Sequence, residues 1–167
     1  MTFAAAPTLH LGVGWRATQY PLLFEGIPVR HSLAIEGALR WPVGLEVGVT
    51  GRVVAPAPEE PSWAVEAGLH VDGVATIGRW RPAAGLELGG STRTRSEVLD
   101  DERPPGSYFA YLGTPEPVWL DFTATPARFA LGEYEVSAAR LGVGISLIHP
   151  GMVGRWSLDV LTLSRSF

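Results

Sequence analysis

A hydrophobic period of two residues runs along most of this chain and limits what it can fold into. In LHLGVGWRATQY, near the start of the sequence, Leu9, Leu11, Val13 and Trp15 alternate with small or polar residues. Such alternation places apolar side chains on one face of a β-strand and polar side chains on the other. Further stretches repeat the pattern, so the sequence predicts eight strands and needs no helix.

The connections between these strands alternate in length. The short ones lie near Pro42 to Gly44, Arg81 to Gly85 and Ala130 to Glu133, and the longer ones cover 21–32, 55–62, 96–118 and 148–154. In an up-and-down meander this puts every short turn at one end and every long loop at the other, as in outer-membrane barrels. The sequence therefore predicts an all-β fold, an eight-stranded antiparallel up-and-down transmembrane β-barrel, in a single domain over residues 1–167.

One alternative strand count stays open. Asp72-Gly73 is a favourable hairpin dipeptide and would divide the segment from Trp63 to Trp80 into two strands. We favour one long strand, because an even strand number brings the first and last strands to the turn side.

The composition limits the possible binding partners and the cellular compartment of the protein. Only 18% of the residues are charged, no Lys occurs and the net charge is −4, so nucleic acid meets no basic face. The absence of Cys excludes disulfides and thiolate metal sites. No apolar run reaches the roughly 20 residues of a membrane helix. The first residues do not read as a signal peptide, so export requires one that has been removed.

The polar face of the strands is predicted to point into the barrel. It is rich in small residues and carries both acids and arginines, which suits a narrow lumen with paired charges. The residues expected to form ion pairs across the lumen are Arg16, Glu36, Arg40, Glu46, Arg52, Glu66, Glu87, Arg93, Asp121 and Arg140. The alternative is a soluble lipocalin-like barrel, which has the opposite polarity and binds a ligand inside.

Aromatic residues cluster where the predicted strands end. Amphipathic rings favour the two interfaces of a membrane, whereas a soluble core would hold them centrally. The residues predicted to form these girdles are Tyr20, Trp63, Trp119 and Trp156 at the loop rim, and Trp41, Trp80, Phe129 and Phe167 at the turn rim.

This architecture resembles the small outer-membrane barrels of Gram-negative bacteria, such as the OmpA transmembrane domain and OmpX. The resemblance covers the whole chain and rests on strand number, loop asymmetry and aromatic rims, not on a motif. It implies a bacterial outer-membrane location, contact with membrane lipids and lipopolysaccharide, and recognition of the last strand by the barrel-assembly machinery. Leu161, Leu163 and Phe167 match the pattern of that strand, and Arg165, where an aromatic residue is common, departs from it.

The last strand changes phase partway along. One apolar set alternates in one phase and the other in the opposite phase, namely Trp156, Leu158 and Val160 against Leu161, Leu163 and Phe167. A β-bulge adds one residue to a strand and would return both sets to the lipid side. We therefore predict a bulge near Asp159 to Leu161.

The sequence predicts no catalytic residue, no cofactor and no metal site. His10 and His70 fall on the polar face, where we expect hydrogen bonds in the lumen. His31 and His149 lie near an acidic loop rim, which we interpret as solvated and not as a cation site. The His-x-Ser pair of the lipid A deacylases is absent, and His31 and Ser32 should point to opposite faces. A lipid-modifying or proteolytic enzyme is therefore disfavoured.

The longest loop is the candidate surface for a protein partner. Its acidic run and its aromatic rings combine charge with groups able to engage a protein or lipid headgroups. The residues predicted for this binding are Asp100, Asp101, Tyr108, Phe109 and Tyr111. We predict a structural, surface-binding or membrane-anchor role with no open pore, because side chains just fill an eight-stranded lumen. Inward glycines would relieve crowding in that lumen or line an internal cavity.

Overall fold

The computed structural model describes residues 6–19, 29–56, 63–92, 118–147 and 154–167. These residues form one antiparallel sheet. Its strands are β1 (Thr8–Gln19), β2 (Arg30–Arg40), β3 (Leu45–Val54), β4 (Ala64–Val74), β5 (Ala83–Ser91), β6 (Val118–Thr125), β7 (Ala127–Leu131), β8 (Tyr134–Ser146) and β9 (Gly154–Ser166). Among the described residues, no helix is long and apolar enough to cross a membrane.

The sheet closes on itself as a barrel. Strands β1 to β6 pair in succession, β6 and β7 both pair with β8, and β9 joins β8 to β1. β6 and β7 run end to end with Pro126 between them, so together they make one barrel strand. Proline cannot donate a hydrogen bond to the ladder, which explains the interruption. The predicted eight-stranded antiparallel up-and-down barrel is confirmed.

The nine-strand alternative is wrong. Asp72 pairs with Glu46 and Gly73 pairs with Leu45, so the Asp-Gly dipeptide lies inside the ladder between β3 and β4. The strand continues through it to Val74. Pairing with both neighbouring strands therefore overrides the local turn preference of this dipeptide.

One short turn lies earlier than predicted. Ile77 and Trp80 exchange two backbone hydrogen bonds, of 2.9 and 3.0 Å, around Gly78 and Arg79. Gly78 has a φ of +62°, which glycine adopts without steric cost. Residues 83–85, which were predicted to belong to this turn, are part of β5.

The barrel is apolar outside and polar inside. Val49 and Leu69, on adjacent strands, point outward and are 55% and 58% exposed. Arg52, Glu66 and His70 point inward from the same two strands and are buried. This polarity is that of a membrane barrel and the reverse of a soluble one, so it contradicts the lipocalin-like alternative.

The bulge predicted in the last strand is confirmed at Val160. On β1, Trp15 pairs with Leu161 and Arg16 pairs with Asp159, so the ladder skips Val160. Asp159 is buried, whereas Val160 and Leu161 are both exposed. The extra residue therefore turns both apolar sets of β9 to the outside.

The neighbouring barrel strands change phase at the same level. In β8, Ala139 lies at the change and has a φ of +57°, in the left-handed region. In the strand made of β6 and β7, Thr125 and Arg128 are both buried, with Pro126 between them. Residues three positions apart in a regular strand point to opposite faces, so the phase changes here. The pairings of β8 with β6, β7 and β9 keep one continuous register through this level.

We call β6, β7, β8 and β9 the panel, because their pairings shift only at its two edges. At one edge lies the bulge at Val160. At the other edge, Ala83 pairs with Thr125 and Trp80 pairs with Phe129. The segment from Thr125 to Phe129 is one residue longer than the facing segment from Trp80 to Ala83. The turn-side half of the panel is therefore displaced by one residue relative to the other strands.

Candidate functional site in the barrel interior

The turn-side half of the lumen holds a ring of four charged side chains. Arg40 and Arg128 each contact the carboxylates of both Glu46 and Glu135. The nitrogen–oxygen distances are 2.5 Å for Arg40–Glu46, 2.8 Å for Arg40–Glu135 and 2.9 Å for Arg128–Glu46. The residues come from β2 and β3 on one side of the barrel and from β7 and β8 on the other. Each charge therefore has two partners of opposite sign, which offset its loss of hydration.

Glu87 on β5 is the centre of a second cluster, closer to the middle of the barrel. Its fully buried carboxylate lies 2.5 Å from Arg52 Nη2, 3.2 Å from Arg16 Nη1 and 3.9 Å from Arg140 Nη2. The further partners of these arginines are Asp159 for Arg16, Asp72 at 3.2 Å for Arg140 and Glu66 at 3.8 Å for Arg52. One carboxylate thus holds three guanidinium groups from three different strands.

The prediction that Trp119 faces the membrane is wrong. Its side chain is fully buried in the lumen, in the same phase as Asp121 two residues later. The guanidinium of Arg155 lies 4.1 Å from the Trp119 ring centroid and 2.9 Å from the Asp121 carboxylate. Gly89 on β5 pairs with Trp119 on β6. Because Gly89 has no side chain, it leaves the space that the Trp119 ring occupies. This stack fills the lumen beside the loop rim.

Nine of the ten residues predicted for the lumen network lie in described strands. These nine are Arg16, Glu36, Arg40, Glu46, Arg52, Glu66, Glu87, Asp121 and Arg140, and each lies within 4.0 Å of an oppositely charged or imidazole group. Arg93 is outside the described residues. Among the described residues, five further charged members of the network are not among these ten, namely Asp72, Arg128, Glu135, Arg155 and Asp159. Arg155 and Asp159 lie in the phase opposite to Trp156 and Leu158, so the hydrophobic period of this strand could have predicted that both face the lumen.

The prediction of a hydrogen bond in the lumen is wrong for His70. Its ring is 1% exposed, yet neither ring nitrogen has a hydrogen-bond partner among the described residues. The Nε2 atom lies 3.6 Å from Glu36 Oε1 and 3.9 Å from Asp72 Oδ2. His10 differs, because its Nδ1 lies 3.4 Å from the Ser166 hydroxyl.

A small polar cavity adjoins the turn-side ring. Its volume is about 20 Å³, and His10, Glu36, Arg128 and Arg140 are among the residues that line it. A space of this size accommodates about one water molecule. The inward glycines nearby serve close packing, since a Cβ at Gly48 would lie 2.6 Å from His70 Nε2.

The remaining predicted positions lie on the outer surface or outside the described residues. Trp41 and Trp156 are half-buried, and Trp63, Trp80, Phe129 and Phe167 are exposed. Tyr20, Asp100, Asp101, Tyr108, Phe109, Tyr111 and His149 are outside the described residues. The role of the rings at membrane interfaces and that of the loop in binding stay predictions.

Arg165 faces outward at the turn rim. Its guanidinium lies 3.0 Å from Glu133, 5.1 Å from the Phe167 ring centroid and 5.8 Å from the Tyr134 ring centroid. The acid and the two rings accommodate a positive charge on an otherwise apolar face.

Comparison with solved structures identifies the fold. No protein-family model and no curated protein matches the sequence. The crystal structure of Neisserial surface protein A is similar, with a TM-score of 0.59, 12% identity, and coverage of 98% of this chain and 99% of that chain. The crystal structure of Ail, the attachment invasion locus protein of Yersinia pestis, gives a TM-score of 0.57, 8% identity and coverage of 98% and 100%.

By its fold, the chain is a small outer-membrane-type β-barrel. The likeness extends over 98% of the chain, so it includes all eight barrel strands. The outward aliphatic residues and the inward ion pairs agree with it, because a membrane barrel needs an apolar band outside and pairs its charges inside.

Proposed function

We propose that this protein is an integral barrel of the bacterial outer membrane with a structural, surface-binding or membrane-anchor role and no transport role. The observation that supports this proposal best is the filling of the lumen by buried ion pairs. The ring around Glu46, the cluster around Glu87 and the stack on Trp119 follow one another along the lumen. A pathway for ions or solutes would have to break several of these contacts.

Conductance measurements test the closed lumen. We expect the protein, reconstituted in planar lipid bilayers, to give no discrete open-channel currents above the lipid background, because the described lumen is packed with paired side chains. The matched control is Trp119→Ala, which removes the largest buried ring and should raise conductance if the stack is the barrier. Stable unitary currents from the wild-type protein would contradict the proposal.

The apolar outer surface predicts a specific response to outward charge. Ile35→Arg, at a 66% exposed position in the middle of β2, is expected to lower the free energy of unfolding in lipid vesicles by about 2–4 kcal/mol. Val43→Arg, in the turn after β2, is the control and should cost no more than about 1 kcal/mol. Urea unfolding followed by tryptophan fluorescence measures both. Equal small effects at the two sites would place the barrel wall in water.

The loops and the last strand are the proposed contacts with other molecules. Ail is named for attachment and invasion, and the Neisserial barrel is named as a surface protein. By analogy, we assign surface binding to the long loop and contact with phospholipid and lipopolysaccharide to the barrel wall. The barrel-assembly machinery is the proposed partner of β9, whose outward residues include Leu161 and Leu163.

The proposed role is non-catalytic. His31 is exposed and Ser32 is buried on β2, so the adjacent pair lies on opposite faces of the barrel wall. A hydroxyl and an imidazole so placed cannot act together as nucleophile and base, because such a pair must lie within hydrogen-bond reach.

A further inference from the structure

The geometry around His70 points to a cation site inside the barrel, which goes beyond the proposed function. We propose that the turn-side lumen binds one divalent transition-metal ion such as Zn²⁺, with His70, Glu36 and Glu46 as protein ligands. One ligand atom from each of these residues lies within 4.8 Å of the other two. They come from three adjacent strands, β4, β2 and β3, so the pairing of the sheet itself brings them together.

The first support for this site is the state of the His70 ring. It is 1% exposed, and both of its nitrogens lack hydrogen-bond partners among the described residues. Buried polar atoms are normally paired, so an imidazole left in this state calls for a ligand that completes it. Gly48 leaves room for that ring, because a Cβ there would lie 2.5 Å from His70 Cε1.

The second support is the spacing of the ligand atoms. His70 Nε2 lies 3.6 Å from Glu36 Oε1, which is long for a hydrogen bond. Two ligands held about 2.1 Å from the same zinc ion at a tetrahedral angle lie about 3.4 Å apart. The observed separation therefore suits two atoms with an ion between them. A mixed set of imidazole and carboxylate is also the donor chemistry that zinc accepts.

The third support is the balance of charge in this half of the lumen. Four carboxylates meet three guanidinium groups there, namely Glu36, Glu46, Asp72 and Glu135 against Arg40, Arg128 and Arg140. One negative charge is left over among the described residues of this half, and a buried uncompensated charge is costly. Glu36 is the carboxylate with the weakest contacts, since its closest guanidinium nitrogen, on Arg140, is 4.0 Å away. A cation bound beside Glu36 gives this carboxylate a close partner of opposite charge. The cavity of about 20 Å³ beside Glu36 has room for a water ligand.

Metal titration of the full folded chain in detergent, after treatment with EDTA, tests this site. Co²⁺ serves as the optical probe and Zn²⁺ as its competitor, followed by absorption and by calorimetry. We expect one ion per chain. The variants His70→Asn and Glu36→Gln should weaken Co²⁺ binding at least about tenfold, because each removes one ligand.

Two control variants separate this site from other imidazoles. His10→Asn removes the other described histidine of the lumen, and His31→Asn with His149→Asn removes both remaining histidines. Both controls should bind Co²⁺ as the wild type does. A gel-mobility shift between unheated and boiled samples verifies folding, and Glu36→Gln keeps the test decisive if His70→Asn does not fold.

The proposal fails if the wild-type barrel binds neither ion, or if His70→Asn and Glu36→Gln bind as tightly as the wild type. None of these outcomes affects the closed-barrel proposal, which rests on conductance and on outward charge.

Discussion

Replacement of Glu87 by glutamine is expected to lower the free energy of unfolding by about 3–5 kcal/mol, because it removes the shared partner of three buried guanidinium groups. Arg16 keeps Asp159 and Arg140 keeps Asp72, but among the described carboxylates Arg52 retains only Glu66, at 3.8 Å. The loss should therefore concentrate on Arg52. Urea unfolding in detergent micelles, followed by tryptophan fluorescence, measures it.

Two further variants show whether unpaired charge is the cause. Adding Arg52→Met to Glu87→Gln should recover part of the loss, because it removes the cation that was left without a close partner. Glu133→Gln breaks the exposed pair with Arg165 and should cost no more than about 1 kcal/mol. A Glu87→Gln variant as stable as Glu133→Gln would show that the interior charges are solvated.

Replacement of Gly144 by alanine is expected to cost about 3 kcal/mol, at the upper end of the usual range for overpacking. A Cβ at this position would collide with the Asp121 carboxylate and with the backbone carbonyl of Leu120 on the adjacent strand, and it would lie 2.8 Å from Asp121 Cα. Because backbone atoms of a closed sheet cannot retreat, the strain should also push Asp121 away from Arg155.

Gly73→Ala is the matched control for Gly144→Ala. Gly73 lies in β4 and faces outward, and the nearest atom to an added Cβ is the Ala84 carbonyl oxygen at 3.8 Å. That is ordinary contact, so we expect a change within about 0.5 kcal/mol. Urea midpoints of the two variants, measured side by side, separate crowding from the general effect of removing a glycine. Equal midpoints would show that the lumen has spare space beside Asp121.

The hydrophobic period predicted most of the fold because each barrel strand has only two faces. It placed Glu46, Arg52 and Glu66 inside, and it required the bulge at Val160, since the period of β9 cannot stay regular and keep Leu158 and Leu161 on one face. These features follow from side-chain direction in a strand, which local sequence determines.

Features that depend on pairing between strands were not predicted. Arg128 and Glu135 lie in the turn-side half of the panel, on the far side of its phase change. The alternation of the loop-side half, continued past that change, would put both side chains on the outer face, although they are inside. The inward position of Trp119 depends on Gly89 in the facing strand. Which partners each inward charge meets depends on the closure of the sheet, and no single strand contains that information.

The position of the register offset bears on the order in which the barrel assembles. β8 and β9 share one continuous register, so their pairing needs no adjustment to the register of the other strands. For β9, the mismatch arises at its edge with β1, and Val160 absorbs it there. β9 can therefore be fully paired with β8 while its other edge is still open, and closing that edge against β1 requires the extra residue at Val160.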